Sequence, residues 1–150
     1  MVRKYIFGEP IETDAVVKEI ASSAWSDGVF QKKEDGFHYS LKEDEIVYGL
    51  GENVRGINKR GWRYISNCSD NPNHCENTNS LYGAHNFIMV GDGVHETYGL
   101  FVDTPGRVTF DIGYTDIDDL CISMEEENYK IYLIEAASYR DVVKEFRELI

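Results

Sequence analysis

From residue 36 onward, apolar side chains recur at a two-residue period in short runs, and this rhythm limits the fold more than any other feature of the chain. Phe37, Tyr39 and Leu41 fall on one side of an extended segment, with His38 and Ser40 on the other. Val108, Phe110 and Ile112 repeat the pattern. Further short runs lie at residues 2–7, 28–32, 45–50, 62–66, 85–90, 96–102, 120–124 and 129–134. Gly91-Asp92-Gly93 predicts a hairpin between 85–90 and 96–102, and Pro105-Gly106 and Glu125-Glu126-Glu127-Asn128 mark later turns. Strands this short and this closely spaced favour a sandwich over alternating strand–helix units. The predicted fold is mostly β, a two-sheet antiparallel β-sandwich with a short N-terminal helix and a C-terminal helix. The first helix is expected at residues 14–21, capped by Thr13, with Val16, Val17, Ile20 and Ala21 on one side.

The period changes near the end of the chain. Ser138-Tyr139-Arg140-Asp141 resembles a capping box, and Tyr139, Val142, Val143, Phe146, Leu149 and Ile150 share one helical face. Neither glycine nor proline closes that pattern. The expected organisation is a sandwich over residues 1–137 and, over 138–150, the start of a helix leading to a further domain. A chain of 150 residues makes one domain, able to bury about 70% of its unfolded surface without a metal or disulfide staple. It is too short for a (β/α)8 barrel, which takes about 250 residues.

The net charge of −12 argues against a nucleic-acid partner, whose phosphates it repels. The basic start, Met1 to Phe7, lacks the apolar core of a signal peptide, and no run reaches transmembrane length. No membrane partner is expected. Three cysteines suit a reducing compartment better than a disulfide framework, so a cytoplasmic location is expected.

The stretch from Ile46 to Phe87 is the most informative for function. Ile46-Val47-Tyr48 breaks into Gly49-Leu50-Gly51-Glu52, as a strand does when it bends or admits a second backbone. A basic connection, residues 55–61, leads to the run at 62–66, and a long polar segment follows from Ser69 to Asn79. A polar loop of that length tied to strands at both ends is more often a binding or lid loop than a plain connection. Within it, Asp70 and Asn71 read on their own as turn residues that bond their own backbone.

Residues 47–52, Asn58-Lys59-Arg60-Gly61, Asn67-Cys68-Ser69-Asp70 with Pro72, and Leu81-Tyr82-Gly83 together resemble the N-terminal β-sandwich of family 31 glycoside hydrolases. Tyr98-Gly99-Leu100-Phe101-Val102-Asp103 and Phe110-Asp111-Ile112-Gly113 continue the resemblance in the same order, across nearly the whole chain. The family includes α-glucosidases and α-xylosidases. The resemblance implies a domain of a retaining enzyme whose two catalytic aspartates lie in a (β/α)8 barrel, so no catalytic residue is carried onto this chain. It also implies that Asp70, and with it Asn71, reach over the barrel mouth to hydroxyls of an α-linked oligosaccharide. Some relatives add a threonine contact there, where this chain has Asn71 and Pro72. The partners implied are that substrate and the enzyme's own barrel. No cofactor is implied, and the fragment alone is expected to be inactive.

Other constellations are weaker. Gly49-Leu50-Gly51 lacks the third glycine of a dinucleotide fingerprint and the Gly-Lys-Ser/Thr of a phosphate loop. Glu52 and Arg60 read as structural ties. Cys68, His74, Cys75 and His85 match no zinc spacing, so no metal is expected. Cys121, between Leu120 and Ile122, reads as a small buried side chain. Asn67-Cys68-Ser69 matches a glycosylation acceptor that means little without a secretory signal. No nucleophile elbow is present, and Asp111, Asp116, Asp118 and Asp119 lack calcium-loop spacing and read as an exposed acidic turn. Two rival readings stay open: a stand-alone carbohydrate-binding sandwich, and a docking domain whose loop never meets substrate.

Overall fold

The computed structural model describes residues 1–13, 15–50, 58–66 and 86–150. In chain order the strands are β1 (Val2–Phe7), β2 (Ser22–Ser23), β3 (Gln31–Lys33), β4 (Gly36–Ser40), β5 (Ile46–Gly49), β6 (Trp62–Ser66), β7 (Phe87–Gly91), β8 (Thr97–Asp103), β9 (Val108–Ile112), β10 (Asp119–Met124) and β11 (Tyr129–Ala136). One helix, α1 (Tyr139–Leu149), follows them. The strands form a six-stranded sheet, β2-β1-β11-β8-β7-β5, and a five-stranded sheet, β3-β4-β10-β9-β6. All pairings are antiparallel except the two-residue contact of β1 with β2.

The two-residue period accounts for the packing between the sheets. Phe37, Tyr39, Phe110, Ile112, Leu120 and Ile122 of the five-stranded sheet face Val47, Ile88, Val90, Leu100, Val102 and Ile131 of the other, all buried in one cluster. The predicted hairpin forms between β7 and β8, with Phe87 opposite Phe101 and Val90 opposite Tyr98. Its turn is held by Asp92, which accepts from the backbone amides of Val94 and His95, both at 2.8 Å, and contacts His95 Nδ1 at 2.6 Å. These bonds, the His95 amide foremost, hold the Asp92 carboxyl well below the usual carboxylate range.

The six-stranded sheet is covered on both faces. Its outer face carries Phe87, Phe101, Tyr132 and Ile134, and α1 lays Val142 and Leu149 onto them, with Phe146 stacked on Phe87 at a ring separation of 3.8 Å. Gly99 permits this close docking, because a Cβ there would lie 2.6 Å from Val142 Cγ1. The N-cap half of the expected capping box forms: Ser138 is extended, and its Oγ accepts from the Asp141 amide at 3.2 Å, while the Asp141 carboxylate accepts from that Oγ at 3.0 Å. Ser138→Ala should therefore lower stability by about 1 kcal/mol in urea unfolding. An unchanged midpoint would show that docking alone holds the first turn.

The short N-terminal helix expected at residues 14–21 is not present. Residues 15–21 run as an irregular strap, and Asp14 lies outside the described residues. Of the expected apolar side, Val16 and Ile20 pack on the outer cluster together with Ala15, while Val17 is 71% exposed and Ala21 is exposed, so only half of that side is buried. Tertiary bonds override the helical option. Thr13 Oγ1 donates to Asp103 Oδ1 at 2.6 Å, and the amides of Val17 and Lys18 donate to the Leu149 carbonyl at 2.8 and 3.2 Å. The strap thus satisfies an end-of-helix carbonyl of α1 that would otherwise lack a partner, and β-branched Val16, Val17 and Ile20 give up little helix propensity in doing so.

Glu96 and Glu135 lie at the exposed end of the β8–β11 pair. The hydrogen bond to Glu96, then burial, raises the Glu135 carboxyl above 4.5. A raised carboxyl contributes stability below the unfolded value and loses it as pH rises through the folded one. Glu135→Gln should match the parent near pH ~4 and show the higher melting temperature near pH ~7. A gap that does not grow with pH would contradict the strained pair.

Candidate functional site

Asp70 and Asn71 lie outside the described residues, as do Glu52, Cys68, His74, Cys75 and His85. The described structure does show the frame on which residues 51–57 and 67–85 are mounted. Among the described residues, β5 and β6 each lie at one edge of their sheet. The segment that leads into β6 is fastened to β5 where the Lys59 amide donates to the Val47 carbonyl at 2.8 Å. Asn58 Oδ1 accepts from the Val47 amide at 3.3 Å and from the Arg60 amide at 3.2 Å. The Arg60 guanidinium donates to the carbonyls of Lys42 at 2.7 Å and Glu45 at 2.8 Å, so it is a structural tie as read, made to backbone.

The glycine break after β5 has a steric cause. Gly49 has φ 124° and Leu50 φ 67°. A Cβ on Gly49 would lie 2.3 Å from the Phe87 carbonyl oxygen. Leu50 is buried, and its amide donates to that same carbonyl at 2.8 Å. The strand therefore bends against β7, as the sequence implied for Gly49. The described chain resumes at Asn86 beside β8, where Asn86 Nδ2 donates to the Val102 carbonyl at 3.2 Å and the Val102 amide donates to the Asn86 carbonyl at 3.0 Å.

Below this frame sits a buried acid. Glu45 is 5% exposed and accepts from the Tyr39 hydroxyl at 2.5 Å and the Lys42 amide at 2.8 Å. Burial first, and then the bond to Glu45, push the Tyr39 phenol far up. Both carboxylate oxygens are occupied, and Glu45 anchors the start of β5 rather than doing chemistry. Tyr39→Phe should cost about 1–3 kcal/mol, the penalty for stripping a partner from a buried acceptor, read as a shift of the urea midpoint. A neutral result would mean that water replaces the phenol.

A second cluster lies on the outer face of the five-stranded sheet. His38 of β4 and Cys121 of β10 are direct cross-strand partners. His38 Nε2 is 2.6 Å from Asp35 Oδ1 and 3.5 Å from Cys121 Sγ, while Nδ1 is 2.8 Å from Asp119 Oδ2. Ser123 Oγ donates to the Asp35 carbonyl at 2.7 Å and so fixes the turn that carries Asp35. Burial opposes charge on His38, but the hydrogen bonds to Asp35 and Asp119 outweigh it and raise the imidazole above its ordinary value. Cys121 is half-buried on this outer face, not the core residue expected: Leu120 and Ile122 take the inward positions, so the residue between them must point out. The cluster has no linear signature, because 83 residues separate His38 from Cys121. Only the pairing of two alternating strands marks it.

The acidic run matches its reading at Asp116 and Asp118, which are exposed, but not at Asp111 and Asp119, which lie half-buried in β9 and β10, with Asp119 bonded to His38. Asp111 accepts from the amides of Tyr114 at 3.1 Å and Thr115 at 3.0 Å, and Asp116 Oδ1 accepts from the Asp118 amide at 3.0 Å. Their oxygens serve the turn itself. Among the described residues, no helix is long and apolar enough to cross a membrane.

Residues 7–111 match the model of the glycosyl hydrolase 31 N-terminal galactose mutarotase-like domain. An α-glucosidase of Saccharolobus solfataricus is 30% identical over 111 residues, which is 73% of this chain and 16% of that enzyme. The α-xylosidase XylQ of Lactiplantibacillus pentosus is 30% identical over 112 residues, 73% of this chain and 14% of the enzyme. Among solved structures, a cycloalternan-degrading enzyme from Trueperella pyogenes aligns with TM-score 0.67 and 21% identity over 83% of this chain and 21% of its own. The Flavobacterium johnsoniae GH31 dextranase complexed with glucose aligns with TM-score 0.67 and 24% identity, over 83% of this chain and 15% of its own. The chain thus spans about a sixth of the length of these enzyme relatives, and the two solved structures share its fold.

Proposed function

Since this chain belongs to glycoside hydrolase family 31, as its N-terminal galactose mutarotase-like domain, we propose that it forms one wall of the substrate pocket of a retaining α-glucosidase-like enzyme, with the chemistry housed in a separate (β/α)8 barrel. The observation that carries this reading is the frame. Residues 58–60, which lead into β6, are fastened to β5 by the Lys59 amide on the Val47 carbonyl and to the turn before β5 by the Arg60 guanidinium, and the two polar connections, 51–57 and 67–85, follow β5 and β6 in the chain. Such a base suits a loop that has to meet a sugar at a set position, because positioning rests on the rigidity of what lies beneath.

In this reading Asp70 accepts hydrogen bonds from hydroxyls of an α-linked oligosaccharide, and Asn71 adds a neutral contact. Retention needs two carboxyls about 5–5.5 Å apart across the glycosidic bond, and both belong to the barrel. The domain orients the sugar between them and needs no cofactor for that task. The helix α1, packed on the six-stranded sheet through Val142, Phe146 and Leu149, carries the chain toward the barrel. The relatives' names, α-glucosidase and α-xylosidase, support an α-glycoside as substrate.

The test is a titration of this chain with maltose and isomaltose by calorimetry, run beside an activity assay on an aryl α-glucoside. The expected result is neither binding nor cleavage by the chain alone, and both once it is joined to a barrel. Saturable binding by the chain alone would replace this reading with an autonomous carbohydrate-binding module. Cleavage by the chain alone would overturn it outright.

A further inference from the structure

We propose that Asp35, His38 and Cys121 form a binding site for a divalent transition-metal ion of the zinc type, on the outer face of the five-stranded sheet. Among the described residues these are the one group of His, Cys and carboxylate side chains near enough to share an ion, with their donor atoms all within 4.8 Å of one another. The site is separate from the edge-strand frame that carries the sugar loop, and it does not depend on the proposed glycosidase role.

Three observations converge on the ion. The first is spacing. Zinc lies about 2.0–2.1 Å from imidazole nitrogen and about 2.3 Å from thiolate sulfur, so two such ligands at a tetrahedral angle sit about 3.6 Å apart. His38 Nε2 and Cys121 Sγ are 3.5 Å apart. That separation is set by the backbone, because the two residues face each other across the β4–β10 pair. Asp35 Oδ1, at 2.6 Å from Nε2, has to move out by roughly 0.7 Å to reach the third corner. Its side chain is 69% exposed and free to do so, while its backbone stays held by Ser123.

The second is the outer shell. Asp119 Oδ2 lies 2.8 Å from Nδ1, so it accepts the Nδ1 proton and turns Nε2 toward Asp35 and Cys121. This carboxylate–histidine arrangement accompanies metal-bound imidazoles, where it fixes the tautomer and strengthens the ligand. The third is the donor set. One nitrogen, one sulfur and one carboxylate oxygen suit zinc and its neighbours, and suit calcium or magnesium poorly. The fourth position opens to solvent and takes water. The thiol proton and any proton on Nε2 leave to solvent as the ion enters, and no electron transfer is involved.

An ion here would clip the turn before β4 to the middle of β10. The experiment titrates the full chain with Co2+, then with Zn2+ in competition, and follows thiolate-to-cobalt charge transfer in the near ultraviolet. The expected result is one equivalent bound with that band and displaced by Zn2+. Cys121→Ser, an exposed-face change that leaves the core intact, should abolish the band. Asp119→Asn should keep the band but weaken binding about 10- to 100-fold. Absence of a stoichiometric band overturns the site. So does a band that survives in Cys121→Ser, which would place the metal on other cysteines.

Discussion

Asp70→Ala, made in the enzyme that joins this domain to its barrel, is expected to lower kcat/KM about 10- to 150-fold. A hydrogen bond to a charged acceptor is worth about 1.5–3 kcal/mol, and each ~1.4 kcal/mol lost from transition-state binding is tenfold in rate. Asn71→Ala should cost less, because a bond between neutral groups contributes about 0.5–1.5 kcal/mol. Steady-state kinetics with an α-linked disaccharide decide the matter. Parent-like kcat/KM in Asp70→Ala would leave the domain a purely structural dock, however its loop is drawn.

The largest stability effect should come from Phe110→Ala. Phe110 is fully buried at the centre of β9, opposite Tyr64 of β6 on one side and Ile122 of β10 on the other. Truncating a buried phenylalanine costs about 3–5 kcal/mol, from lost transfer energy and from the cavity left behind. Against a typical domain stability of about 5–15 kcal/mol, that is enough to bring the chain near the edge of unfolding. The effect should also reach function, because β6 is the strand from which residues 67–85 depart. Urea unfolding is the measurement. A loss below about 1 kcal/mol would mean that neighbours collapse into the space, a result at odds with close packing between the sheets.

Much of the fold could be read from residue spacing. Alternation in Gly36–Ser40 and Val108–Ile112 gave their inward faces correctly, because a strand has only two sides and burial must choose one. The hairpin at Gly91-Asp92-Gly93 and the Ser138 cap were legible for the same local reason: each depends on bonds within a few residues. Cys121 shows where such reading fails. Its neighbours are apolar, yet the same alternation that buries Leu120 and Ile122 turns Cys121 outward. The 14–21 segment failed differently. Its apolar spacing fits a helix as well as a strap, and the choice was made by Asp103 and by the Leu149 carbonyl, both distant in sequence.

By itself, the order of residues determined that this chain is a β-sandwich with a closing helix, and its motifs placed it beside the family 31 glycoside hydrolases. Those properties are written in short-range periodicity and in bonds between near neighbours. Tertiary structure alone decided that the segment before β6 is fastened to β5 and to the turn before it, and that His38, Cys121, Asp35 and Asp119 share one surface. Strand pairing joins positions that are many tens of residues apart, and the register that brings them together is set by burial of the whole sheet rather than by any local pattern.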